Sequence, residues 1–206
     1  MLKFNIMALA KVTEFVDIQA PRPEVYEILI DLKRRVQLSP LWGVLQVDHI
    51  SESYPQEGSN FQMSVRNNPD TPAYQTVITT LNPLRKIAYR LEVTRQTEVT
   101  WILQDTQTGT RVIYEEQFEY DDSDGEDFTG QVRNVVTSWL KNIKQYAELR
   151  EGRLKKAVKW FLDKYFLKLR KEQRNVILIL LFMQFTSIIT FIMAAIALGV
   201  GGLVIH

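Results

Sequence analysis

Lys11–Leu32 reads KVTEFVDIQAPRPEVYEILIDL, a strand followed at once by a helix. Lys11–Gln19 is rich in β-branched and aromatic residues, which suit a pleated, half-buried surface. Pro21 and Pro23 end it. Pro23 suits the first turn of a helix, where its missing N–H leaves no bond unmade. From Glu24 to Leu32 the residues Val25, Ile28, Leu29 and Leu32 share one helical face. A short second helix or turn is expected to run to about Pro40.

Downstream, strand signals recur at Leu45–Ser53, Asn60–Arg66, Tyr74–Leu81, Ile87–Thr94, Glu98–Gln104 and Arg111–Tyr120. Turn formers separate them at Pro55–Gly58, Asn67–Pro72, Asn82–Pro83 and Thr108–Gly109. An acidic loop, Asp121–Asp127, closes the series. A long amphipathic helix then runs from about Glu126 to Arg150, with Phe128, Val132, Val135, Val136, Trp139, Ile143 and Tyr146 on its apolar side. The order is one strand, two short helices, six strands and one long helix. That predicts an α+β fold, an antiparallel sheet with its helices on one face. Curved around the long helix, such a sheet leaves a cavity between the two.

Strand alternation selects the side chains facing that helix. The expected cavity set is Val47, His49, Phe61, Met63, Tyr89, Leu91, Trp101, Tyr114 and Glu116 from the strands, with Trp139 from the long helix. Two of these are polar groups on apolar faces, His49 and Glu116. A carboxylate there is costly unless paired or protonated. Each is therefore a candidate head-group anchor or acid/base residue. The plainer alternative is a bulge that reverses the face, or a Tyr hydroxyl or basic side chain that satisfies Glu116.

Other chemistries lack their signatures. Cysteine is absent and His49 and His206 are the two histidines, so no metal cluster is expected. Gly58, Gly109, Gly125 and Gly130 stand apart and form no phosphate loop, so no cofactor is expected either. The run DDSDGED has a superficial calcium-loop look but lacks the spacing to a terminal Glu.

Several phrases carry a family likeness. The run Asp17-Ile18-Gln19-Ala20-Pro21, with Pro23, Val25 and Asp31 and then Trp42, resembles the opening of START/SRPBCC proteins, the superfamily that includes the polyketide cyclase/dehydrase and lipid-transport group. Gly58 before Phe61 also fits, as does Trp101–Leu103 leading through Gly109-Thr110-Arg111 into a strand. The resemblance covers about residues 11–150. It implies a helix-grip fold whose apolar cavity binds a hydrophobic ligand. Catalysis belongs to some members only and does not carry over.

The rest of the chain has a different character. Residues 150–174 hold ten Lys/Arg against three Asp/Glu, whereas residues 1–149 hold 15 against 21. Within 151–174, Leu154, Val158, Phe161, Leu162, Tyr165 and Leu169 recur at helical spacing, with Lys155, Lys156, Lys159, Lys164 and Lys168 largely opposite. This predicts a basic amphipathic helix at an anionic membrane surface, with Trp160 at the interface. The alternative is a solvated helix whose apolar stripe docks on the soluble domain. Nucleic acid is not an expected partner. Residues 175–205 carry no charge, and Val176–Leu198 reads VILILLFMQFTSIITFIMAAIAL. At ~1.5 Å per residue that stretch spans about 35 Å, enough for a bilayer core of about 30 Å. A single-pass C-terminal anchor follows, with the soluble domain cytoplasmic because the basic flank resists translocation. Gln184 on such a helix also suits contact with a second copy, a homodimer through the membrane helix. The opening MLKFNIMALAKV, broken by Lys3 and Asn5, is not expected to act as a signal peptide.

Three functions remain open at this stage. The first is a membrane-tethered module that binds or presents a lipid, quinone or polyketide-like molecule. The second is a cyclase/aromatase-type enzyme using Glu116, His49 or a Tyr. The third is a non-catalytic scaffold that recruits partners at the membrane. The lack of enzyme signatures favours binding.

Overall fold

The first strand, β1 (Met7–Ile18), is the edge of a seven-stranded antiparallel sheet. The computed structural model describes residues 7–41, 43, 45–65, 73–92, 97–121, 125–150, 153–169 and 171–203. Trp42, the turn at 67–72 and the middle of the acidic loop at 122–124 lie outside these residues, as do the side chains of Lys155, Lys156, Lys159 and Lys168. The chain divides into two compact units, residues 1–159 and 160–206.

In the first unit α1 (Arg22–Ile30) and α2 (Leu32–Leu38) follow β1. Asp31 separates them: its extended backbone ends α1, and its Oδ1 accepts from the Arg34 backbone N–H at 3.1 Å to cap α2. The strands β2 (Leu45–Asp48), β3 (Asn60–Val65), β4 (Tyr74–Asn82), β5 (Lys86–Glu92), β6 (Thr97–Thr106) and β7 (Gly109–Asp121) come next. The helix α3 (Gly125–Ala147) completes the unit. Spatial order across the sheet is β1-β7-β6-β5-β4-β3-β2. The chain thus meanders from β2 to β7, and β1 joins the far side by pairing along β7 from Met7↔Asp121 to Ile18↔Thr110. The sheet is a curved half-barrel with the helices on its concave side, the α+β arrangement expected of this sequence.

Two differences from the sequence reading have local causes. β1 begins at Met7 rather than Lys11, because the 13-residue β7 offers partners as far as Asp121. β2 ends at Asp48 rather than Ser53, because His49 adopts φ 48° and leaves the strand. Beyond it, Ser51 exchanges bonds with Asn60: its N–H donates to the Asn60 carbonyl at 2.9 Å and its Oγ accepts from the Asn60 N–H at 3.1 Å. Those bonds make a loop of what reads as strand.

The core fills the concave side. Val12, Ile18, Leu29, Phe61, Ile87, Trp101, Val112 and Ile143 are buried there. The sheet is also fastened at the corner where β1 leaves it. Thr110 Oγ1 donates to the Ala20 carbonyl at 2.8 Å. Gly109 passes so close that a Cβ would stand 2.1 Å from the Ile18 carbonyl oxygen. On the helix side, Trp139 Nε1 donates to the Arg35 carbonyl and Asn142 Nδ2 to the Leu38 carbonyl, both at 2.9 Å, joining α3 to α2.

α4 (Arg153–Lys164) covers only the first part of the single helix expected over 151–174, and the division between the units falls inside it. In the second unit the chain turns through Tyr165 and a 3₁₀ turn, Phe166–Lys168. The Arg174 guanidinium holds this turn, with Nη2 donating to the Leu167 carbonyl at 2.5 Å and Nε to the Leu169 carbonyl at 3.2 Å. Trp160 and Tyr165 meet edge to face at 5.6 Å, with Lys164 Nζ 5.1 Å from the Trp160 ring centre. α5 (Lys171–Leu203) is 33 residues long. Its stretch Gln173–Phe191 is long and apolar enough to cross a membrane, and 6% of that stretch is buried.

Candidate functional site

Between the concave sheet face and α3 lies a cavity of about 370 Å³. β7 and β5 supply Tyr114, Glu116, Tyr89 and Leu91; β2, β3 and β4 supply Leu45, Met63 and Tyr74. α3 closes it with Phe128, Gln131, Val132, Val135, Val136 and Trp139, and Val36, Ser39 and Leu41 close the α2 end. Period-two alternation on the strands and the apolar stripe of α3 are what bring these residues to one space.

The floor is aromatic. Trp101 is fully buried, edge-on to Tyr114 at 4.7 Å and to Trp139 at 5.2 Å. Its Nε1 donates to Tyr89 Oη at 3.3 Å. Beside Tyr89 sits a buried cation: the Arg35 guanidinium lies 4.9 Å from the Tyr89 ring centre and 5.8 Å from that of Trp101. Its Nη1 donates to the Leu29 carbonyl at 3.2 Å, while Nε is buried without a partner among the described residues. Stacking against two electron-rich ring faces offsets part of the cost of burying that charge.

The polar end of the cavity is Glu116. Tyr114 Oη donates to its Oε2 at 2.7 Å. Burial pushes the Glu116 carboxyl above its ordinary range, and the bond from Tyr114 offsets part of that rise. The Tyr114 phenol is held well above its usual range, first by burial and then by the charge of Glu116. Tyr114 is thus the donor and Glu116 the acceptor of the pair, and the second carboxyl oxygen is left to a guest in the cavity that both residues line.

The structure brings together Met63, Tyr89, Leu91, Tyr114, Glu116 and Trp139 of the expected set. It corrects four others. His49 is exposed, because its left-handed backbone takes it out of β2. Val47 shares the face of Met63, its register partner, but is half-buried beyond the cavity's end. Phe61 is core, packed edge-on to Tyr54 and Tyr89 at 6.3 and 6.1 Å. Trp101 lies under the cavity rather than in its wall. The sequence reading missed Val36, Ser39, Leu41, Tyr74 and Gln131, together with Arg35. The spacing Leu32, Arg35, Val36 is the signal that places Arg35 on the buried face of α2.

A curved antiparallel sheet gripping one long helix over an apolar cavity defines a helix-grip-like domain. The chain belongs to the family of Activator of Hsp90 ATPase homolog 1-like proteins, whose model matches residues 19–148, more than half of the chain. That family lies in the SRPBCC superfamily, as the motifs imply. Among solved structures the chain is similar to protein MLL2253 from Mesorhizobium loti, at 14% identity and a TM-score of 0.54 over 69% of this chain and 100% of that one. It is similar to Ara h 8.0201 at 15% identity and 0.52 over 68% and 99%. It is also similar to the di-domain ARO/CYC StfQ of the steffimycin biosynthetic pathway, at 19% identity and 0.53 over 69% of this chain and 51% of that one. At these identities the likeness is one of fold. No curated protein matches the chain.

Proposed function

We propose that this chain is a membrane-tethered module that holds a hydrophobic small molecule in the cavity between its sheet and α3. The observation that carries the reading is the cavity itself, about 370 Å³, lined mainly by apolar and aromatic side chains with Ser39, Tyr74, Glu116 and Gln131 as polar points. Pockets of a few hundred cubic ångströms with few polar groups suit small apolar guests. The tether is α5, whose exposed Phe182, Phe185 and Phe191 leave an apolar surface that water does not favour. The ten basic residues at 150–174 support placing the cavity domain on the cytoplasmic side. Tethering raises the effective concentration of a membrane-dissolved guest at the cavity. Native mass spectrometry of the full chain released from membranes tests this. The wild type should carry a co-purified apolar molecule, and a folded Met63→Trp variant should lose it. A folded wild type with no guest, or equal retention by the variant, overturns the reading.

One observation supports a second reading, a cyclase-type enzyme. It is the hydrogen-bonded Tyr114–Glu116 pair, an acid/base arrangement inside the cavity. Under that reading Glu116→Gln abolishes turnover and spares binding.

A further inference from the structure

We propose that the cavity selects a neutral, hydroxyl-bearing apolar molecule and rejects the carboxylate of the same chain length; this rests on the cavity being a binding site.

The donors and acceptors of the cavity decide the selectivity. The Tyr114 hydroxyl is committed to Glu116 Oε2. The Trp139 N–H is committed to the Arg35 carbonyl. Tyr89 Oη accepts from Trp101, so its own hydrogen is left to donate. A guest therefore meets the second oxygen of Glu116 as acceptor and a set of neutral donors, the Tyr89 hydroxyl together with the Ser39, Tyr74 and Gln131 side chains that also line the cavity. A guest hydroxyl is both donor and acceptor. It donates to Glu116 when that group is ionised and accepts from it when protonated, so either protonation state is served.

A guest carboxylate finds neutral donors in the wall but no opposite charge. No Lys, Arg or His stands among the described residues that line the cavity. Arg35 lies behind the Tyr89 ring, with Nη1 turned to the Leu29 carbonyl, and is not part of the wall. An anionic head group would be buried with no cation in the wall and set against the Glu116 carboxyl. Both effects act in the same direction, the first through lost hydration and the second through like charge.

The test uses the full chain in lipid nanodiscs at neutral pH, with dodecanol and dodecanoate each carrying a diazirine at the chain end. Labelling of the peptides holding Met63 and residues 128–139 is read by mass spectrometry, scaled to each probe's measured concentration in the disc. The alcohol should label those peptides at least about tenfold more than the carboxylate. Glu116→Gln puts a group that cannot ionise in place of the acid and should narrow that ratio severalfold. Equal labelling by the two probes, or preference for dodecanoate, overturns the selectivity while leaving the cavity a binding site. An unchanged ratio in Glu116→Gln overturns the role given to Glu116. Labelling of the cavity by neither probe overturns the binding reading, and the selectivity with it.

Discussion

Glu116 is a carboxyl that the fold itself makes harder to ionise. Its proton is held more tightly in the folded chain than in the unfolded one, because burial raises its value. The stability linked to it is fully present below the unfolded value, roughly 4.3, and is lost as pH rises through the folded value. Glu116→Gln keeps the shape and an acceptor for Tyr114 but cannot ionise. The variant should match the wild type in acid and become the more stable of the two toward neutral pH, with the gap reaching a plateau above the folded value. Chemical denaturation followed by tryptophan fluorescence across a pH series measures that gap. A gap that does not change with pH would mean that the carboxyl is fully hydrated. Arg35 is the opposite kind of residue. Its charge is buried without a carboxylate partner among the described residues, held by two ring faces and one carbonyl.

At the scale of elements, the corner between β1 and β7 depends on one small residue. A Cβ on Gly109 would meet backbone on two sides, the Ile18 carbonyl oxygen at 2.1 Å and the Ala20 nitrogen at 2.9 Å. Backbone cannot swing away as a side-chain tip can, so Gly109→Ala should cost about 1–3 kcal/mol or more. Gly58→Ala is the control: its φ of 82° imposes strain, but nothing lies within 4 Å of the added carbon. Thermal unfolding should rank the Gly109 variant well below the Gly58 variant, and the reverse order would refute the close approach. Much of this architecture is legible from residues. Val99, Trp101 and Leu103 alternate on β6 and are all buried as expected. Glu116 falls where the alternation of β7 puts it, at the cavity. What escaped the reading are events that alternation does not encode. A single left-handed residue, His49, ended β2 early and removed itself from the site. Trp101 faces the right way, but its size fills the space beneath the cavity instead of bordering it. Ser39 and Leu41 reach the cavity from the end of α2, where no periodic pattern signals a wall.

At the scale of the molecule, the proposed tether is α5. Full-length protein should sediment with membranes and resist alkaline carbonate extraction, while a chain truncated before Gln173 should lose that integral behaviour. The truncated chain still carries α4, and any residual adhesion to anionic vesicles should weaken as salt rises. A full-length chain that is soluble without detergent would refute the anchor. The cavity domain has its own asymmetry. On one side every wall strand is laddered to its neighbours by backbone hydrogen bonds. On the other, α3 is joined to α2 by side-chain bonds from Trp139 and Asn142 and by Arg34 over the Tyr146 ring, and to β1 by the Arg133–Glu14 ion pair and the bond from Lys144 to the Asp17 carbonyl. Each such bond contributes about 1 kcal/mol net. The helical side is thus held by side chains where the sheet side is held by backbone. A guest would come and go by the helices parting, on the microsecond-to-millisecond scale of helix shifts, while the sheet stays whole. Under the proposed function, residence time in the cavity would then be set independently of the lifetime of the fold, and occupancy would follow the supply of guest without the protein ever unfolding.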